Sequence, residues 1–296
     1  MHLVNLITSE QITLPSVVTI EHVKPIFDKY GVVEKYEYSR HTARKLSHPD
    51  RTFDKEVYYE PSIYALAKLR EFLRCKAFVF PETSKGSYIV ALIHNPMKQL
   101  SFARPGDGKW TWLPPYIYYQ DCSYKNGLLY AINIVGEIHA FDLSSSVVTR
   151  KMIMGMTEKV MWDCLYIVHA PWGDLLNVSR VIDHEDETVD PAVHLLTTTE
   201  IKINKEVKCL HDRVLFLGHN QSLCLSAKDH PHLKANHAYF TGNYDLYING
   251  FKNGRRDIGV FNLESSNWDK LVSPEPWSNW PPLMCITLSL AKMKMK

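Results

Sequence analysis

The 296-residue sequence predicts an all-β protein with a short helical insertion, and three observations predict it. Short alternating or β-branched apolar runs fill most of the chain. Gly, Asn and Pro punctuate them at hairpin spacing, and one strand–turn–strand ending recurs along the sequence.

The elements follow in chain order. Leu3-Val4-Asn5-Leu6, then Thr8-Ser9, then Ile12 and Leu14, reads as a degenerate strand, polar turn and strand. Residues 20–30 read as a short helix limited by Pro25 and stopped by Gly31. Residues 62–75 read as a second helix, with Ser62 as its cap and Ile63, Leu66, Leu69 and Leu73 on one face. The polar, basic stretch 39–56 between them reads as an exposed loop, so 20–75 is a helix-bearing insertion. Residues 88–93 are a continuous β-branched run closed by Asn95-Pro96, and 99–104 form the next strand. Pro105-Gly-Asp-Gly108 then turns the chain into Trp110-Thr-Trp112. Asn126-Gly127 introduces a strand at 128–134, and Gly136 separates it from 137–141. Further strands are expected at 165–169, 174–181, 193–203, 213–217, 222–226, 237–241 and 257–263, with a terminal run at Leu283–Leu290.

The recurring ending decides the architecture. Ile138-His-Ala-Phe-Asp-Leu143 is followed by three serines and the apolar Val147-Val148. Ile258-Gly-Val-Phe-Asn-Leu263 is followed by Glu-Ser-Ser, then Trp268 and Leu271. Leu100–Leu113 is a related ending with its own Gly-rich turn. Units of ~40–50 residues with several strands each are the signature of propeller blades. A single propeller domain over 1–296 is therefore expected, incomplete at its N-terminus, with kelch-like four-stranded blades. About four blades span 75–272, with sheet ends near 113, 153, 207 and 271. A pair of β-sandwiches is the runner-up, and it does not account for the repeated ending.

Composition excludes several classes. With 34 basic against 32 acidic residues, there is no strong field for nucleic acid or anionic lipid. No apolar run approaches the ~20 residues of a membrane span. Six scattered cysteines without a CxxC fit reduced thiols, hence the cytosol or nucleus. There is no Gly-x-Ser-x-Gly, His-Glu-x-x-His, P-loop or dinucleotide fingerprint, so the chain reads as neither an enzyme nor a cofactor binder. Asp229-His-Pro-His232 with His237 is the strongest metal-like cluster, but Pro231 places it in a loop, and surface histidines are the reading adopted. The acidic stretch 183–190 lacks the spacing and glycine of a calcium loop.

Several stretches together resemble the plant F-box-associated KIB-type β-propeller family, also labelled domain of unknown function 295. They are Phe102-Ala-Arg-Pro-Gly-Asp-Gly-Lys-Trp-Thr-Trp112, Tyr124-Lys-Asn-Gly-Leu-Leu-Tyr-Ala131 and Gly136-Glu-Ile-His-Ala-Phe-Asp-Leu143. Tyr166-Ile-Val-His-Ala-Pro-Trp-Gly-Asp-Leu-Leu176, the stretch 214–229, Tyr239-Phe-Thr241, Arg256-Asp-Ile-Gly-Val-Phe261 and Trp277-Ser-Asn-Trp-Pro-Pro282 continue the match. The resemblance implies a non-catalytic module that binds a protein substrate for an SCF-type ubiquitin ligase. Members usually begin with an F-box, a helical module of roughly fifty residues that docks on a Skp adaptor. Leu3–Pro15 resembles a blade end instead, so no direct adaptor binding is expected and the ring is expected to be open and prone to self-association. The linker near 203–210 is shorter than the family's, which leaves one outer strand unaccounted for. A truncated or dominant-negative fragment is the alternative reading, and a propeller enzyme acting on glycans or small molecules is a third.

Partner-binding residues are sought in exposed turns. Trp172, in Ala-Pro-Trp-Gly-Asp, is a candidate aromatic anchor. Lys252, Arg255 and Arg256 flank Asn253-Gly254 and are candidate basic contacts. Trp110, Trp112 and Trp268 are read as packing between blades.

Overall fold

Alternation in the sequence becomes six sheets in the computed structural model, which describes residues 1–4, 9, 11–39, 60–73, 76–82, 87–114, 117–145, 147–155, 164–184, 196–203, 209–241 and 259–270. Outside these residues lie most of the predicted 39–56 loop, the acidic residues 185–190, the basic turn with Lys252, Arg255 and Arg256, and the 277–290 tail. The chain divides into two compact units between Tyr119 and Gln120.

The first unit opens with β1 (His2–Val4) paired antiparallel to β2 (Gln11–Thr13), Leu3 opposite Ile12, the predicted degenerate ending. A 3-10 turn, Val17–Thr19, leads into β3 (Val23–Phe27), β4 (Val33–Tyr38) and β5 (Ser62–Tyr64), in the order β3-β4-β5. The helix expected at 20–30 is therefore wrong. The segment instead pairs antiparallel with β4, Val23 opposite Tyr38 and Ile26 opposite Lys35, and Pro25 is tolerated because β3 is an edge strand. The second helix exists but is shorter, α1 (Leu66–Leu73), with Leu69 and Leu73 buried. Ser62 is not its cap and Ile63 is not on its face: both belong to β5, and Ile63 is exposed opposite Glu37. The first helical hydrogen bond runs from Leu69 N–H to Ala65 O.

An antiparallel four-stranded sheet follows, β6 (Lys76–Glu82), β7 (Ser87–His94), β8 (Gln99–Ala103) and β9 (Thr111–Leu113), and it ends at the predicted position. Its face packs Val90, Leu92 and Trp110 against Tyr38, Leu69 and Leu73. Trp110 is a packing residue as expected. Its indole N–H donates to Pro15 O at 3.2 Å, and its backbone N–H donates to Thr19 Oγ1 at 3.2 Å.

Two imidazoles sit in this interior. His22 and His94 stack with ring centroids 5.4 Å apart, and His22 meets the ring of Tyr38 edge-on at 5.2 Å. His94 Nδ1 lies 3.0 Å from Asn95 O, so it carries the proton, and Nε2 accepts from the Ser101 hydroxyl at 2.9 Å. Burial, then the neighbouring His94 ring, lowers the His22 pKa to about 3. Burial lowers His94 to about 4.

The second unit, apart from the first residue of β10, holds β10 (Tyr119–Lys125), β11 (Leu128–Asn133), β12 (Ile138–Asp142) and β13 (Thr149–Met154) in one four-stranded sheet. Asn126 and Gly127, with φ of 52° and 84°, make the predicted hairpin turn. The outer strand lies at 149–154 rather than at Val147-Val148. A sheet of β14 (Cys164–His169), β15 (Leu175–His184) and β16 (Leu196–Ile203) has three strands among the described residues.

The last sheet differs from the expected antiparallel blade. It runs β18 (Leu223–Ser226), β17 (Arg213–Leu217), β19 (His237–Phe240), β20 (Gly259–Asn262) and β21 (Asn267–Lys270). β17 and β19 are parallel, Val214 opposite His237. The reason is the 227–236 segment with Pro231, which forms a crossover rather than a hairpin and returns the chain to the start of β17. Gly218 follows β17 where the backbone approaches Thr241: a Cβ there would collide with Thr241 Oγ1. Gly218→Ala is expected to destabilise the unit by about 2 kcal/mol, read as a lower urea midpoint at constant m-value.

Candidate functional site

The strongest surface is built where the inner strands of two sheets run side by side. Gln120 Oε1 accepts from Leu165 N–H at 2.8 Å, and Asp121 Oδ2 accepts from Ile167 N–H at 3.1 Å. Ser123 Oγ lies 2.8 Å from His169 Nδ1, and Lys125 Nζ donates to Gly173 O at 3.4 Å. These pairs ascend together, so β10 and β14 are parallel neighbours, and their C-terminal turns emerge at the same end. Leu143 N–H donates to Gly127 O at 3.2 Å, which brings the β12–β13 turn to that end as well.

Trp172 stands there as the sequence predicts, with 48% of its surface exposed. Its turn is tightly closed: Ala170 N–H donates to Asp174 O at 2.8 Å, and Gly173 N–H donates to Ala170 O at 3.0 Å. The indole N–H donates to Asp174 Oδ2 at 2.7 Å. The polar edge is therefore satisfied and fixed, while apolar ring surface faces water. A partner that covers it gains apolar burial at little entropic cost, because the rotamer is already held. Lys125 and Val147, the latter 70% exposed, belong to the same three turns.

Acid–base chemistry is poorly served. Ser123 and His169 form a serine–histidine contact, but Ser123 is buried. Burial, then the charge of Lys125, lowers His169 to about 4, which makes it a weak base. The Tyr130 ring meets it edge-on at 5.0 Å, so its surroundings are those of a packed side chain. Asp121 is a tie between strands: it also accepts from the Ser222 hydroxyl at 2.7 Å.

The remaining candidates do not join this surface. His230 and His232 are exposed in the crossover, and His237 Nδ1 contacts Ala235 O at 2.6 Å. No group of three His, Cys, Asp or Glu that could hold a metal occurs among the described residues. The structure also exposes a hairpin tip that sequence reading missed: Phe27, Tyr30 and Val32 are 57%, 77% and 62% exposed. Asp28 Oδ1 closes that tip by accepting from Tyr30 and Val32 N–H, each at 2.8 Å. The Asp28-Lys-Tyr-Gly31 turn signal was present but was absorbed into the predicted helix.

Comparison with known proteins agrees with this architecture. The family model described as KIB1-4 beta-propeller matches residues 1–262. The Arabidopsis thaliana protein named "Putative F-box protein At5g55150" is 26% identical over 222 residues, which are 71% of this chain and 59% of that protein. The chain thus spans less than two thirds of the length of this curated relative. No solved structure matches the chain.

Proposed function

Because the chain belongs to the KIB1-4 β-propeller family, we propose that it is a non-catalytic protein-binding module, the substrate-binding propeller of an SCF-type ubiquitin ligase. The observation that carries this reading is the exposed, hydrogen-bonded Trp172 on turns shared by two sheets. A rigid aromatic anchor among polar turns is what a protein hot spot needs, and it serves no reaction. The F-box connection comes from the name of the Arabidopsis relative and from the family resemblance. The reading places the chain in the cytosol or nucleus. Cys122, Cys164, Cys209 and Cys224 are all free thiols, which suits a reducing compartment.

Two outcomes follow. Trp172→Ala is expected to leave the melting temperature unchanged, since an exposed side chain contributes within ~0.5 kcal/mol. The same variant is expected to lose proteins that the wild-type chain captures from plant extract, as quantified by mass spectrometry. Equal capture by both would count against the proposal.

A further inference from the structure

The sheet β10-β11-β12-β13 ends on β13, and no described strand pairs with its outer edge. Residues 149–153 are exposed on both faces of that strand. Met152 and Ile153 are 53% and 48% exposed, beside the cations Arg150 and Lys151. Neither cation has a carboxylate at ion-pair distance among the described residues. The nearby acids are engaged elsewhere: Asp142 accepts from Ser144 N–H at 2.9 Å, and Glu137 accepts from Asn133 Nδ2 at 2.7 Å. Such an edge presents backbone donors and acceptors to any extended segment, with a positive charge that selects among them.

We infer that the β13 edge takes an extended acidic segment of a partner protein as a fifth strand, its carboxylates opposite Arg150 and Lys151 and its apolar residues opposite Met152 and Ile153. Other occupants fail on geometry or charge. A second copy pairing antiparallel through this edge would place no carboxylate opposite Arg150 or Lys151 in any register, because Thr149–Met154 contains none. Of the chain's own acidic residues, the 183–190 stretch begins at the end of β15, and Glu158 and Asp163 lie in the connection from β13 to β14. Asn177 Nδ2 contacts Met154 Sδ at 3.9 Å, and β13 and β15 run in the same direction. At 3.3 Å per residue, His184 lies ~23 Å beyond that contact and Arg150 ~13 Å before it. Residues 156–163 join Gly155 to Cys164. Their extended length of ~26 Å is less than the ~33 Å needed to reach Arg150 and return.

The site is the β13 edge that follows the β12–β13 turn, and it goes beyond the function proposed above. The test uses the full chain and a fluorescein-labelled peptide, acetyl-Thr-Ile-Val-Glu-Glu-Thr-amide, read by fluorescence anisotropy. Saturable binding is expected, with amide exchange slowed at Thr149–Met154. Replacing both glutamates of the peptide by lysine, or N-methylating its alternate amides, is expected to weaken binding at least tenfold. The R150E/K151E chain is expected to lose the acidic peptide and to bind the lysine peptide instead, a gain that an unfolded variant could not show. Trp172→Ala is expected to bind as wild type does, so this site and the Trp172 reading can fail separately. No binding at millimolar peptide would overturn the inference. So would equal binding by the N-methylated peptide or by R150E/K151E.

Discussion

Replacing Asp121 by alanine will destabilise the second unit by about 3–4 kcal/mol. The carboxylate is fully buried on β10 and accepts from Ile167 N–H on β14 and from the Ser222 hydroxyl after β17. It therefore ties three consecutive sheets at one atom. Truncation leaves a buried backbone N–H and a buried hydroxyl to find new partners where little water reaches. Ser222→Ala removes only the hydroxyl side and is expected to cost about 1 kcal/mol. Urea denaturation of the two variants measures the difference. A loss below 1 kcal/mol for Asp121→Ala would mean that the sheets are held together by apolar contact alone.

Acidification from pH 6.5 to 5 will destabilise the first unit by about 3 kcal/mol through His22 and His94. Both imidazoles are neutral in the fold at pH 5, with pKa values lowered to about 3 and about 4. In the unfolded chain they titrate near 6.5. Between pH 6.5 and 4 the unfolded state binds more protons, so stability rises with pH in that window and is fully present above 6.5. Between pH 6.5 and 5 each histidine contributes about 1.6 kcal/mol to the loss, because the unfolded imidazole is already half protonated at 6.5. Burial accounts for the lowered pKa of His94; the bond from Nδ1 to Asn95 O favours the charged ring but does not offset the loss of solvent around it. His22→Phe should reduce the slope of stability against pH by about one proton between pH 4.5 and 6.5. An unchanged slope would show that His22 is not held neutral.

Sheets and turns were legible where local chemistry is strong. Asn126-Gly127 demanded positive φ and produced the predicted hairpin, and the 105–108 turn delivered Trp110 into the core. The reading failed where two local signals competed. Pro25 and Gly31 looked like helix punctuation, yet the first lies on an edge strand and the second in an aspartate-closed turn. Ser62 looked like a cap, but the β4 edge recruited it into β5 before the helix began. The parallel β17–β19 pair was invisible because a crossover and a loop have the same composition.

Of the candidate site, Trp172 could be read from its Pro-Trp-Gly-Asp turn. Lys125 could not, because its proximity to Gly173 depends on two strands 48 residues apart lying side by side. The exposed edge of β13 was equally hidden, since an outer strand and an inner one share the same alternation.

The central claim, that the Trp172 turns form a protein-binding face, is tested most directly by amide exchange on the full chain bound to a partner that Trp172→Ala fails to capture. Protection is predicted at 125–127, 142–147 and 171–174, the three turns that meet at one end of β10 and β14. Protection confined to other segments, with these turns exchanging as in the free chain, would contradict it.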